Sequence, residues 1–168
     1  IQCIFFKVKQ LKSINVDVVI CGGGLSGLIC SLALSNIGIS SFCIDKSANN
    51  KKKQIDTRST AYLKPSKEFL DNIGVWKHLS KNANPLKTLS IVNSSSGFPY
   101  NNIISETKFN AIEIFQDEFG WNINNNKTKK ILLELVEKDK IINFEYDEII
   151  KIKEFDESLT VYLKNKKQ

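Results

Sequence analysis

Apolar residues come in short bursts along this chain, and their spacing changes from burst to burst. Residues 16–21 (VDVVIC) form an apolar, β-branched run, the pattern of a buried strand. Residues 25–36 carry apolar side chains over a broad face at helical spacing, and Gly38 stands where a helix-ending glycine is expected. Residues 39–44 read as a second buried strand, and 46–57 as a polar loop. Residues 65–73 predict a helix with Phe69, Leu70 and Ile73 on one face and Gly74 as its stop; 75–79 predict a shorter one. Strand-like alternation follows at 86–92, a turn at 93–97, a second alternating run at 109–115 and an extended stretch at 120–123. Residues 124–138 make an amphipathic helix with Ile131, Leu132, Leu135 and Val136 inward, and 141–146, 148–155 and 159–163 read as successive strands. The order is βαβ, a β excursion, a helix and a β-meander, which places the chain in the α/β class.

The junction of the first strand and helix carries the clearest chemistry. Gly22, Gly24 and Gly27 stand at the G-x-G-x-x-G spacing of a dinucleotide-binding turn. In such a turn Gly22 permits the sharp exit from the strand. Gly24 lets a pyrophosphate approach the backbone, and Gly27 lets the helix pack close to the strand. The first helical N–H groups, around Leu25 and Ser26, then face the phosphates at the positive end of the helix dipole. Asp45 ends the second strand about 20 residues on, where a carboxylate accepts a ribose hydroxyl; Lys46 beside it joins the candidate set. An aspartate there favours a free ribose, so FAD and NAD both fit and NADP fits poorly.

Length and composition narrow the field. A chain of 168 residues buries one real core and reads as one domain or part of one. No apolar run reaches the length of a membrane span. The opening residues 1–6 are too short for a signal-peptide core, and the chain has no methionine, which suggests a fragment. Cys3, Cys21, Cys30 and Cys43 show no C-x-x-C pairing and read as small apolar residues of a reducing compartment. His78 is the only histidine, so a metal site is not expected, and it reads as a surface or boundary residue. The net charge of +6 reflects a lysine-rich composition, with runs such as 51–53 and the cluster Lys164, Lys166 and Lys167. Solvated loop lysines are the better reading and attraction to anionic lipid headgroups the alternative; no aromatic–basic motif points to nucleic acid.

Among 24 basic residues Arg58 is the single arginine. A guanidinium used where the chain otherwise uses lysine suggests a need for its planar fork of donors. Arg58 opens onto a longer pattern: Asp56-Thr57-Arg58-Ser59-Thr60-Ala61-Tyr62-Leu63, then Ser66, Phe69-Leu70, Gly74-Val75-Trp76 and Leu79. It resembles the D-x-R-x-x-A-L…S…L…L-G-x-W pattern of FAD-dependent aromatic hydroxylases, and above all of the ubiquinone-biosynthesis hydroxylases related to para-hydroxybenzoate hydroxylase. Residues 85–92 are similar to the strand that follows in that family, and Gly120-Trp121-Asn122-Ile123 with Asn125 resembles its G-W-N-I-x-N stretch. Asn124 replaces a proline common in the family, and Tyr62 a leucine.

The resemblance implies a Rossmann-like FAD-binding βαβ fold with a β-meander, truncated, in which residues 1–168 are the N-terminal part of the FAD-binding domain and 85–123 contribute strands to a substrate domain. Gly22, Gly24 and Gly27 would hold the FAD pyrophosphate, Asp45 the adenosine ribose, Arg58 would lie over the cofactor, and Asn125 would touch its flavin side. A plain helix N-cap fits Asn125 equally well, and a loop or capping role fits Asp56. Trp76 and Trp121 read as core aromatics. The implied activity is hydroxylation of a polyprenylated phenol in ubiquinone biosynthesis, with NAD(P)H or another donor as reductant and O2 as co-substrate. It implies a cytoplasmic enzyme peripheral at the inner membrane, in contact with other ubiquinone-pathway proteins. The family's later D-G and G-D motifs are absent from the chain, so residues 1–168 alone are expected to be inactive. Two other readings stand beside this one: another FAD- or NAD-linked oxidoreductase using the same βαβ unit, and an inactive nucleotide-binding remnant.

Overall fold

The computed structural model describes residues 13–46, 56–95 and 102–164. In chain order the described elements are β1 (Val18–Cys21), α1 (Leu25–Asn36), β2 (Ser41–Ile44), β3 (Ser59–Leu63), α2 (Lys64–Asn72), α3 (Trp76–Leu79), β4 (Asn84–Leu86), β5 (Thr88–Ser95), β6 (Asn102–Asn110), β7 (Gly120–Asn124), α4 (Asn125–Lys138), β8 (Ile142–Glu145), β9 (Ile149–Phe155) and β10 (Ser158–Leu163). They fall into two compact units, one made of residues 1–54 with 132–168, the other of residues 55–131.

The first unit is built on β1, α1 and β2. The strands run parallel, Val18 opposite Ser41 and Cys21 opposite Ile44, so the chain must cross back between them, and α1 makes that crossing. Strand β8 adds in parallel on the other edge of β2, with Ser41 opposite Ile142, giving the order β1-β2-β8. Strands β9 and β10 form the antiparallel part of this unit. Leu28, Leu32, Cys43, Ile44 and Ile142 are buried, as a parallel sheet covered by a helix requires. Helix α1 ends on Gly38, whose left-handed φ of 79° lets its N–H return to the carbonyl of Ser35 at 2.9 Å.

In the second unit β7 is the centre of an antiparallel sheet, with β3 on one side and β4 on the other. Tyr62, Leu70, Val75, Trp76, Leu79 and Ile123 are buried in it. Trp76 meets Trp121 edge to face with ring centres 5.3 Å apart, so both tryptophans are packing residues. Strands β5 and β6 form a separate two-stranded ribbon.

Several expectations need correction. The alternation over 109–115 is not one strand: β6 stops at Asn110 and residues 111–114 wind into a 3-10 turn. Asn110 and Glu113 close a capping box there, and Phe115 ends the turn in the left-handed region at φ 56°. A helical cap thus outweighs two-residue periodicity. The turn expected at 93–97 does not begin at Asn93, since Asn93, Ser94 and Ser95 are still in β5; Ser96 and Gly97 lie outside the described residues. Cys21, expected to be buried, is exposed at the end of its strand, as is Cys30 on α1. Cys43 is buried, with its sulfur 3.7 Å from the carbonyl oxygen of Gly22. Cys3, Lys51 to Lys53, Lys166 and Lys167 lie outside the described residues. His78 is exposed. Among the described residues no helix is long and apolar enough to cross a membrane, and no cluster of His, Cys, Asp and Glu could hold a metal ion.

Candidate functional site

The glycine turn is assembled from β1, α1 and the end of β2. Gly22 leaves the strand at φ 122°, a conformation that side chains resist, while its N–H still reaches the carbonyl of Ile44 at 2.8 Å. A Cβ on Gly27 would collide with the carbonyl oxygen of Gly22, so glycine there sets how closely α1 sits on β1. Gly23 also has a reason of its own. A Cβ there would lie 2.7 Å from both Asp45 Cβ and Phe144 Cε2, and 3.0 Å from Asp45 Oδ2. The carboxylate of Asp45, 8% exposed, therefore packs against the turn itself.

Gly24 differs from its neighbours. Its backbone is ordinary extended chain (φ −73°, ψ −177°), and a Cβ there would meet nothing within 4 Å. Packing and backbone do not demand glycine at this position, so the open space beside it suits a group that approaches the backbone from outside. Gly24 is also the N-cap of α1; it has no side chain to cap with, and the first turn carries no acidic residue. The first hydrogen bond within the helix runs from Leu28 N–H to the Gly24 carbonyl at 3.0 Å. That leaves the N–H groups of Leu25, Ser26 and Gly27 without helical partners, at the positive end of the dipole. The turn fits a pyrophosphate.

Asp45 is tied down by its main chain: its N–H donates to the Glu145 carbonyl at 3.0 Å and its carbonyl accepts from Asp147 N–H at 3.1 Å. Lys46 is exposed. Nearby, Glu148 is held below its ordinary pKa first by its hydrogen bond from Lys164 (2.7 Å), then by that lysine's charge, with a smaller pull from Lys46.

The second unit contains its own cluster. The Arg58 guanidinium grips Asp56 with two parallel bonds, Nε to Oδ1 at 2.8 Å and Nη2 to Oδ2 at 3.0 Å. Asn125 Nδ2 donates to Asp56 Oδ2 at 3.2 Å, and Thr60 Oγ1 donates to Asn125 Oδ1 at 2.7 Å. Asn126 Nδ2 donates to the Asp56 carbonyl at 2.8 Å, and Asn125 N–H to the Arg58 carbonyl at 3.0 Å. The bond from Arg58, then that from Asn125, holds the Asp56 carboxyl well below the usual carboxylate range, while Asp56 raises Arg58. Asn125 is not the helix cap. Asn124 fills that role, its Oδ1 accepting from Asn126 N–H at 3.1 Å and Lys127 N–H at 3.3 Å. The residue that replaces proline thus frees the Asn125 amide for other partners.

The structure brings Gly22, Gly24, Leu25, Ser26, Gly27 and Asp45 together in one unit, and Arg58 with Asn125 in the other. Sequence reasoning missed Gly23, Thr60, Asn126 and the part played by Asp56. A signal for the last was present: Asp56, Arg58 and Thr60 are spaced two apart, which puts their side chains on one side of an extended segment.

The family profile described as FAD binding domain matches residues 15–167. The chain belongs to that family. Solved structures with the same fold include p-nitrophenol 4-monooxygenase PnpA from Pseudomonas putida DLL-E4, at 18% identity and TM-score 0.65, over 86% of this chain and 35% of that one. The flavin-dependent monooxygenase PieE, in complex with FAD and substrate, matches at 17% identity and TM-score 0.69, over 91% of this chain and 27% of PieE. HpxO from Klebsiella pneumoniae, complexed with FAD and uric acid, matches at 15% identity and TM-score 0.63, over 88% of this chain and 35% of HpxO. The chain thus spans about a third or less of the length of these three. No curated protein sequence matches it.

Proposed function

We propose that this chain holds FAD for a monooxygenase that hydroxylates a polyprenylated phenol ring in ubiquinone biosynthesis. The observation that carries the cofactor reading is Gly24, a glycine with an ordinary backbone and open space on its Cβ side, at the uncapped start of α1. The phenolic substrate is supported by the Asp56–Trp76 pattern, and by a solved structure with the same fold whose name gives a phenol as its substrate, p-nitrophenol 4-monooxygenase.

When bound, FAD supplies the redox chemistry, with NAD(P)H or another donor as reductant and O2 as co-substrate. The chain's part is binding and orientation. Main-chain N–H groups at Leu25, Ser26 and Gly27 receive the pyrophosphate. Asp45 accepts ribose hydroxyls, with Lys46 beside it. Arg58 and Asn125 present polar groups to the cofactor. Residues 85–123 are proposed as part of the substrate domain; the β5–β6 ribbon in that stretch leaves Leu89, Ile91 and Phe109 exposed on one face, with Leu89 opposite Phe109. A polyprenyl substrate implies work at a membrane surface.

The test is to purify the full-length protein, record its flavin spectrum, and supply reductant, O2 and a prenylated or an unprenylated phenol. Bound FAD and a hydroxylated product from the prenylated phenol are expected. Absence of flavin would sink the cofactor reading. FAD binding with turnover of unprenylated phenols only would sink the ubiquinone assignment.

A further inference from the structure

We infer that Asp56 is a positioning residue, whose carboxylate presets the Arg58 guanidinium and the Asn125 amide for the cofactor. The inference rests on the proposed reading of Arg58 and Asn125 as cofactor contacts, and it concerns what holds them in place.

The geometry leaves Asp56 little else to do. Its Oδ1 accepts from Arg58 Nε at 2.8 Å and from Arg58 N–H at 3.1 Å. Its Oδ2 accepts from Arg58 Nη2 at 3.0 Å and from Asn125 Nδ2 at 3.2 Å. A carboxylate offers about four lone-pair sites, and these four bonds use them all. Such a group is not available as a base or as a direct ligand. Arg58, by contrast, is 81% exposed in its side chain. An exposed arginine has many rotamers, and fixing one is costly unless something holds it. The Asp56 fork takes Nε–H and one N–H of Nη2. The opposite edge of the guanidinium, Nη1 with the second N–H of Nη2, keeps two parallel donors to which the described residues supply no partner. That edge matches a pair of anionic oxygens.

Asn125 is set in the same way. Thr60 donates to its Oδ1 at 2.7 Å, which fixes the amide with Nδ2 toward Asp56. The bonds from Asn126 Nδ2 to the Asp56 carbonyl and from Asn125 N–H to the Arg58 carbonyl anchor the segment to the start of α4. One ionised carboxylate therefore orients two side chains 67 residues apart (58 to 125). Its depressed pKa keeps the arrangement charged under acidic conditions.

The test is a double-mutant cycle read by FAD titration of the full-length protein: wild type, Asp56→Asn, Arg58→Lys and the double variant. Asp56→Asn is expected to weaken FAD binding about tenfold, the scale of one charge-assisted fork lost. In the Arg58→Lys background the same change should cost clearly less, because the share of its effect that passes through Arg58 is already lost and only the share through Asn125 remains. A full loss on Arg58→Lys with unchanged affinity on Asp56→Asn would overturn the positioning role alone, as would equal losses in both backgrounds. Equal affinity of wild type and Arg58→Lys would overturn the reading of Arg58 as a cofactor contact, and this inference with it, while leaving FAD binding at the glycine turn standing. A second measurement needs no variant to fold: the NMR signal of Arg58 Nε–H in the flavin-free wild type. Its chemical shift should keep the hydrogen-bonded value on acidification below the ordinary aspartate pKa of about 3.9. A move to the shift of a free arginine at that pH would overturn the inference.

Discussion

The glycine turn of the first unit and the Asp56–Arg58–Asn125 cluster of the second are built from opposite materials. The turn is made of main chain. Its features are a φ of 122° at Gly22, close approaches at Gly23 and Gly27, open space at Gly24 and the first N–H groups of α1, which have no helical partner. The cluster is made of side chains from β3, the segment before it and the start of α4, joined by hydrogen bonds between residues up to 70 positions apart. A site made of backbone tolerates few substitutions, since each glycine excludes an atom. A site made of side chains is softer, and its members lean on one another.

Substitutions at Gly27 and Gly24 break this comparison most sharply. Gly27→Val should prevent stable folding, because its Cβ lands on the Gly22 carbonyl; overpacking of this kind costs about 3 kcal/mol or more. Gly24→Val should leave the melting temperature near wild type, since its Cβ faces open space, yet weaken FAD about a hundredfold or more. Thermal melts with flavin titration separate the two. A Gly24→Val protein that keeps its flavin would mean that the open space beside Gly24 is not where the cofactor binds.

In the cluster, Arg58→Lys should lower FAD affinity about tenfold without changing the melting temperature, because lysine keeps the charge and loses the fork. Flavin titration checks it. Asn124→Ala removes the cap of α4 and should cost about 1 kcal/mol of stability, read by denaturant midpoint. A larger loss of flavin than of stability would show that the freed Asn125 amide depends on that cap.

The smallest effect expected is on pH dependence. The folded-state pKa of Asp56 is depressed, so its stabilisation is present above the ordinary aspartate range and is lost as pH falls through the folded value. Both partners touch water, and screening keeps the effect small. Melting temperatures of wild type and Asp56→Asn should therefore differ at neutral pH and converge in strong acid. A gap that persists there would assign the difference to packing and not to the carboxylate's charge.

Much of the first unit was legible along the chain. The run over 16–21, the helix over 25–36 and the strand over 39–44 correspond to β1, α1 and β2, and Gly38 has the left-handed φ expected of a helix-ending glycine. The motif's unspecified second glycine, Gly23, was not legible, because what forbids a side chain there is Asp45 and Phe144, far off in sequence. In the second unit β3 was missed, and the single strand read over 86–92 divides at Lys87 into β4 and β5. Residues 59–63 and 84–86 show little alternation, and both are strands because β7 pairs with each. Thr128 is buried among the lysines of α4 because its hydroxyl returns to the Asn124 carbonyl at 3.2 Å, which no periodicity announces.

By itself the sequence determined what depends on neighbours in the chain: the alternation of strand and helix, the glycine turn, the helix ends and the single guanidinium. Those features follow from local sterics, from the absence of a Cβ and from side-chain periods of 2 and 3.6 residues. Tertiary structure decided which strands pair, that Asn124 and not Asn125 caps α4, and that Arg58 and Asn125 share one carboxylate. Each of these is a choice among partners distant in sequence. A hydrogen bond between them forms only after the backbone has brought the donor within about 3 Å of its acceptor.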